Sequence, residues 1–160
     1  MIHLFQGLSF VSGNINLPAG APSDLKDSCL SVRIEEERLC DGAQPCTPNI
    51  IESFVMKSVK LEKPGVIAYK MPFDGKQDVQ YVVLATLNVG WCKKDGGRDW
   101  IRPGDYNSVT ASSFNGPKQG SSIKVDVNLE GYKTGKQKIA ENVLVFLKIF
   151  NLSSQVFYFS

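Results

Sequence analysis

Two long runs in the second half of the chain alternate strictly between apolar and polar residues. Tyr81, Val83, Ala85, Leu87 and Val89 form the first, and Ile123, Val125, Val127 and Leu129 the second, the latter set between Lys124, Asp126, Asn128 and Glu130. A period of two is the pattern of a strand with one face on a core and the other in water. Shorter segments repeat it. Ser9 to Leu17 places Val11, Ile15 and Leu17 on one face, with Gly13 among them; Cys29 to Glu36 turns Leu30, Val32 and Ile34 inward and Ser31, Arg33 and Glu35 outward. Ile50 to Val59 is a less regular strand, and Val66 to Phe73 carries Pro72, which marks a strand end or an edge. Val79 to Trp91, Trp100 to Thr110 (interrupted by Pro103 and Gly104) and Ile123 to Glu130 complete the set.

Turn chemistry separates these segments: Lys63-Pro64-Gly65, the polar stretch Asp74 to Asp78, and Asp95-Gly96, a strong two-residue hairpin signal. About seven strands at spacings of roughly 8 to 14 residues predict an all-β fold, a single antiparallel β-sandwich of immunoglobulin or transthyretin type. After Gly131 the pattern changes. Ile139, Val143, Phe146 or Leu147, and Phe150 recur at helical spacing, which leaves two readings: a short C-terminal helix docked on the sandwich, or a segment foreign to it. The expected organisation is an N-terminal segment at 1–8, the sandwich at 9–132 and an apolar tail at 133–160.

Composition narrows the functional class. A chain of 160 residues suits one domain with a real core, and 42% hydrophobic with 21% charged residues is ordinary for a globular protein. A formal charge of +2 with scattered basic residues argues against nucleic acid; the mild cluster at Lys133, Lys136 and Lys138 reads as a solvated linker. No transmembrane span is expected, because Glu141, Asn142, Lys148, Asn151 and Gln155 interrupt the apolar tail. Met1 to Phe10 lacks the basic and apolar regions of a secretory signal.

The cysteines fall at 29, 40, 46 and 92 with no C-x-x-C spacing, and His3 is the single histidine. No metal site or cofactor is therefore expected. An even count in a β-rich chain favours disulfides and an oxidising compartment, against the alternative of four free thiols in a reducing one. Successive antiparallel reversals put Cys29 and Cys92 at one end of the sandwich and Cys40 and Cys46 at the other. The favoured pairs are thus Cys29–Cys92 and Cys40–Cys46. Closing the longer loop is worth about 3 to 4 kcal/mol in the chain-entropy picture.

The best ligand candidate is the stretch from Trp91 to Arg102. With Asp95-Gly96 as its turn, Trp91 falls opposite Trp100, beside Lys93, Arg98 and Arg102. Two paired indoles among cations can stack a sugar or grip an anionic partner; the plainer reading is a cross-strand aromatic pair that plugs one end of the sandwich. Glu35-Glu36-Glu37 reads as a solvated strand end, since consecutive strand residues face opposite ways. Catalysis has little to stand on: a nucleophilic Ser or Cys needs a positioned base, and His3 sits on the terminus. Asn151-Leu152-Ser153 is a glycosylation sequon in an apolar setting and is expected to be idle.

Several segments, taken in order, resemble one family. Val11-Ser12-Gly13-Asn14-Ile15-Asn16-Leu17-Pro18, followed by Leu30-Ser31-Val32-Arg33-Ile34-Glu35, looks like the opening of the YbaY/YscW-type lipoprotein domain. Ile67-Ala68-Tyr69-Lys70-Met71-Pro72-Phe73-Asp74 is similar to that family's "F-x-L-P-Y-D" stretch, and Tyr81-Val82-Val83-Leu84-Ala85-Thr86-Leu87 to its "Y-x-V-x-A-x-I" strand. The resemblance covers roughly residues 10 to 130. It implies a small β-sandwich, commonly a lipid-anchored envelope protein, some members acting as pilotins that chaperone an outer-membrane secretin. Two departures limit the transfer: no lipid-attachment cysteine stands at the start, and the four cysteines lie outside the family pattern, which suggests a secreted relative.

Together these features predict a non-enzymatic binding or adaptor module, secreted or in the periplasm or cell envelope. A protein partner would be met through an exposed sheet edge or the Trp91/Trp100 hairpin. The alternative is a carbohydrate-binding domain that uses the same two indoles.

Overall fold

The computed structural model describes residues 8–37, 47–94 and 100–133. Nine strands run through them: β1 (Ser9–Asn16), β2 (Cys29–Glu36), β3 (Asn49–Lys57), β4 (Val66–Phe73), β5 (Gln80–Asn88), β6 (Tyr106–Ser108), β7 (Ser112–Asn115), β8 (Ser122–Lys124) and β9 (Val127–Gly131). No helix occurs among the described residues. The expected tail helix and the sequon lie outside them, as does the Cys40–Cys46 pair.

The all-β expectation holds, but the architecture is a correction to the two-layer antiparallel sandwich. One sheet runs in the order β3-β2-β5-β6-β9-β1-β4, with β7 on β5 and β8 on β1, and it curls into a nearly closed, barrel-like wall. It is also mixed, because β1 runs parallel to both β8 and β9. The strand that joins what would have been separate layers is β9. Val127 and Asn128 pair with β1, whereas Leu129 to Gly131 pair with β6. A strand that changes partner along its length makes a corner, and here the corner ties both halves into one wall.

Alternation decides which side chains fill the interior. Val11, Ile15, Leu30, Val32, Ile34, Ile67, Met71, Tyr81, Val83, Leu87 and Val127 are all essentially inaccessible. Phe73, Tyr81 and Phe114 close one region of the core with edge-on and tilted ring contacts, centroids 5.0–5.7 Å apart. Each such buried apolar side chain contributes about 1.5 to 3 kcal/mol relative to exposure.

Local chemistry explains where strands stop. The run from Ile123 to Glu130 is split into β8 and β9, yet both halves keep the same register against β1. At the break, Val125 N–H donates to the Ser12 carbonyl (2.8 Å), while Asn14 N–H donates to the Asp126 side chain (2.8 Å). A side-chain carboxylate thus substitutes for a ladder carbonyl. Gly13 makes the approach possible: a Cβ there would overlap the Val125 carbonyl oxygen. That carbonyl also accepts from the buried Tyr69 hydroxyl at 2.7 Å. Burial, and then the nearby Asp126 charge, hold the Tyr69 hydroxyl well above the usual tyrosine range.

Glu35 departs from its expected outward, solvated position. A bulge between Ile34 and Glu35 shifts the β2–β3 register, and the Glu35 side chain is mostly buried. Its Oε1 meets the Arg33 Nε as an ion pair without an aligned hydrogen bond. Glu36 accepts from the Asn49 side chain (2.8 Å), and Glu37 is exposed.

Candidate functional site

Past the end of β5 the chain enters the stretch that carries the candidate binding residues. The expected strands from Val79 to Trp91 and from Trp100 to Thr110 are shorter than their pattern suggested. β5 ends at Asn88, residues 91–94 and 100–105 form no ladder, and β6 holds only Tyr106 to Ser108. The turn residues Asp95 and Gly96, and the cation Arg98, lie outside the described residues.

The physical reason for the early strand end is a buried carboxylate. Asp105 is 2% exposed. Its two oxygens accept from Val89 N–H (2.8 Å), Arg102 N–H (2.7 Å), the Asn88 side-chain amide (3.1 Å) and the Trp91 indole N–H (3.1 and 3.2 Å). Two of those donors are backbone amides that a continued hairpin would have spent on its own ladder. Charge-assisted bonds of this kind are stronger than amide–carbonyl bonds, so the carboxylate wins locally.

The segment before Asp105 prepares that geometry. Pro103 fixes one backbone angle, Gly104 takes a positive φ of 96°, and Asp105 N–H donates to the Arg102 carbonyl at 3.0 Å, closing a tight turn. Tyr132 N–H in turn donates to the Asp105 carbonyl (2.7 Å). Asn88, equally buried, also donates to the Trp100 carbonyl at 3.1 Å. A second anchor is covalent. Cys29 and Cys92 form a disulfide with Cα atoms 5.1 Å apart, and Gly90 N–H donates to the Ser28 hydroxyl beside it (3.0 Å).

The two tryptophans therefore have different surroundings. Trp91 is half-buried, with its N–H on Asp105 and one ring face under the Arg102 guanidinium at 3.9 Å from the centroid. Trp100 is 51% exposed. They are not the cross-strand pair that the hairpin reading required. Lys93 and Lys94 are exposed on the same stretch. Asp105 and Asn88 were not singled out in the sequence; the turn run Arg102-Pro103-Gly104-Asp105 is the signal that locates the first.

Among the described residues no group of three or more His, Cys, Asp or Glu side chains could hold a metal ion, and no helix is long and apolar enough to cross a membrane. No family model matches the sequence, and no curated protein matches it. Among solved structures the fold is similar to an alternative pilotin from the type II secretion system of Vibrio cholerae, with a TM-score of 0.51 and 11% sequence identity, over 78% of this chain and 99% of that one. At that identity the similarity shows a pilotin-like fold.

Proposed function

We propose that this chain is a non-enzymatic adaptor of the cell envelope or the secreted space that engages a protein partner, in the manner of YbaY/YscW-type and other pilotin-like proteins. The observation that carries this reading is the Asp105-centred lock. Four donors and a disulfide anchor Asn88 to Cys92 against the Arg102–Asp105 turn and β2, and the Trp100 indole is more than half exposed on a stretch that also carries the exposed Lys93 and Lys94. An exposed aromatic group whose backbone carbonyl is anchored by Asn88, on a stretch rich in cations, suits a partner surface that is apolar at its centre and acidic around it. The pilotin-like fold and the disulfide support an envelope setting.

The carbohydrate alternative has less support. Arg102 covers one face of Trp91, which makes Trp100 the more accessible platform for a sugar.

The test is capture from an envelope extract of the source cell, with the wild-type chain and Trp100→Ala side by side. The expected result is one protein retained in stoichiometric amount by the wild type and lost by Trp100→Ala, with the melting temperature unchanged. Equal capture by both chains, or glycan-array binding that vanishes with Trp100→Ala, would contradict the reading.

A further inference from the structure

The curled sheet leaves two strands at the ends of its path, β3 and β4, which touch each other but share no hydrogen-bonded ladder. Among the described residues each pairs on one side only, β3 with β2, and β4 with β1. An unpaired edge is a template for another strand unless the sequence blocks it.

The two edges are guarded differently. β4 carries Pro72, which has no N–H to offer, and the exposed Lys70, which reaches over the Phe10 ring at 4.4 Å. β3 has nine residues, no proline, and no lysine before its last position. Its apolar residues point both ways. Ile51, Phe54 and Met56 pack against the core yet stay only partly buried, whereas the inward residues of β4 (Ile67, Tyr69, Met71 and Phe73) are buried. On the outer side Ile50 and Val55 are 52% and 58% exposed. One more strand beside β3 would complete both rows.

The charges along β3 select an occupant. Toward its start lie Glu52 and, just past the end of β2, the exposed Glu37; at its finish stand Lys57 and Lys60. Beyond these, Glu62 and Lys63 offset each other. An antiparallel strand added here would set its N-terminal end against the lysines and its C-terminal end against the glutamates. We infer that β3 is a strand-accepting edge for an extended segment of a partner protein that is acidic at its N-terminal end, apolar on both faces through its middle and basic at its C-terminal end. This rests on the adaptor reading and gives that adaptor its second contact. Main-chain hydrogen bonds would supply affinity, and the end charges direction.

The probe is a capped nine-residue peptide with glutamate first, lysine last and alternating valine and isoleucine between them, so that both faces of its middle are apolar. Two control peptides have the end charges exchanged or a central proline. Binding is read by calorimetry and by amide chemical-shift changes in the full chain. The expected result is binding that shifts β3 amides, weakens several-fold when the end charges are exchanged, and disappears with the central proline. The Ile50→Lys/Val55→Lys double variant, altered only at exposed positions, should weaken binding at least about tenfold while its circular dichroism stays unchanged.

No binding at millimolar peptide, binding indifferent to the proline, or shifts confined to other strands would overturn the inference. The proline comparison uses the wild-type chain, so it stands whatever the variant does. Failure here with Trp100-dependent capture intact removes the strand edge alone; loss of that capture result removes the adaptor reading itself.

Discussion

The wall of this protein is sealed along one line and open along another. On the sealed side, β1 lies between β4 and the split pair β8/β9, and three polar groups at the break are paired: Val125 N–H on Ser12, the Val125 carbonyl under Tyr69, Asn14 N–H on Asp126. On the open side, β3 and β4 touch without a ladder, and among the described residues the apolar side chains of β3 are left partly uncovered on both faces. The contrast separates what holds the fold from what is available to bind. Close backbone approach and polar satisfaction concentrate along the sealed line, while among the described residues the proposed acceptor edge lies along the open one.

Substitutions should rank accordingly. Gly13→Val places a side chain on the Val125 carbonyl at the sealed line, where no flexible group can give way. It is expected to cost about 4 kcal/mol or more and to leave little folded protein in urea titrations. Asp105→Ala strands four donors around a buried site and should cost about 3 kcal/mol. In that variant Trp91 emission should shift toward that of an exposed indole while the strand signal in circular dichroism persists. If Trp91 emission is unchanged, the carboxylate does not hold the loop.

Tyr69→Phe is milder, about 1 kcal/mol at neutral pH for one lost hydrogen bond. It also has a pH signature. The folded-state hydroxyl is raised by burial and by Asp126, so its contribution is fully present below the ordinary tyrosine pKa of about 10 and is lost as pH rises beyond it. Wild-type stability should therefore fall more steeply above about pH 10 than that of Tyr69→Phe, and parallel curves would remove the assignment. Smallest of all, Val55→Lys on the open edge should change stability by less than about 0.5 kcal/mol, because its side chain is already mostly in water.

Periodicity carried much of this fold in plain view. The alternating sets Leu30/Val32/Ile34, Tyr81/Val83/Ala85/Leu87 and Val125/Val127/Leu129 are the buried rows, and the strand directions placed Cys29 against Cys92. What periodicity could not show was pairing. Parallel contact between β1 and β9 joins residues more than a hundred positions apart, and the change of partner along β9 sets that contact beside the sequence-near pairing with β6. β7 escaped notice because Ser112, Ser113 and Asn115 carry no alternation and only Phe114 is buried. The candidate site was half legible. Trp91, Trp100, Lys93 and Arg102 stand out by type and spacing, but they do not form the expected hairpin ladder, because Asp105 takes the amides a ladder needs.

Amide hydrogen exchange on the full chain tests the contrast between the two lines most directly. Amides of β1 and β9 should exchange only through global unfolding, and about every second amide of β3 should exchange through local opening many times faster. Equal protection of β3 and β1 in the isolated, monomeric chain would contradict it, for then no edge is left to receive a partner.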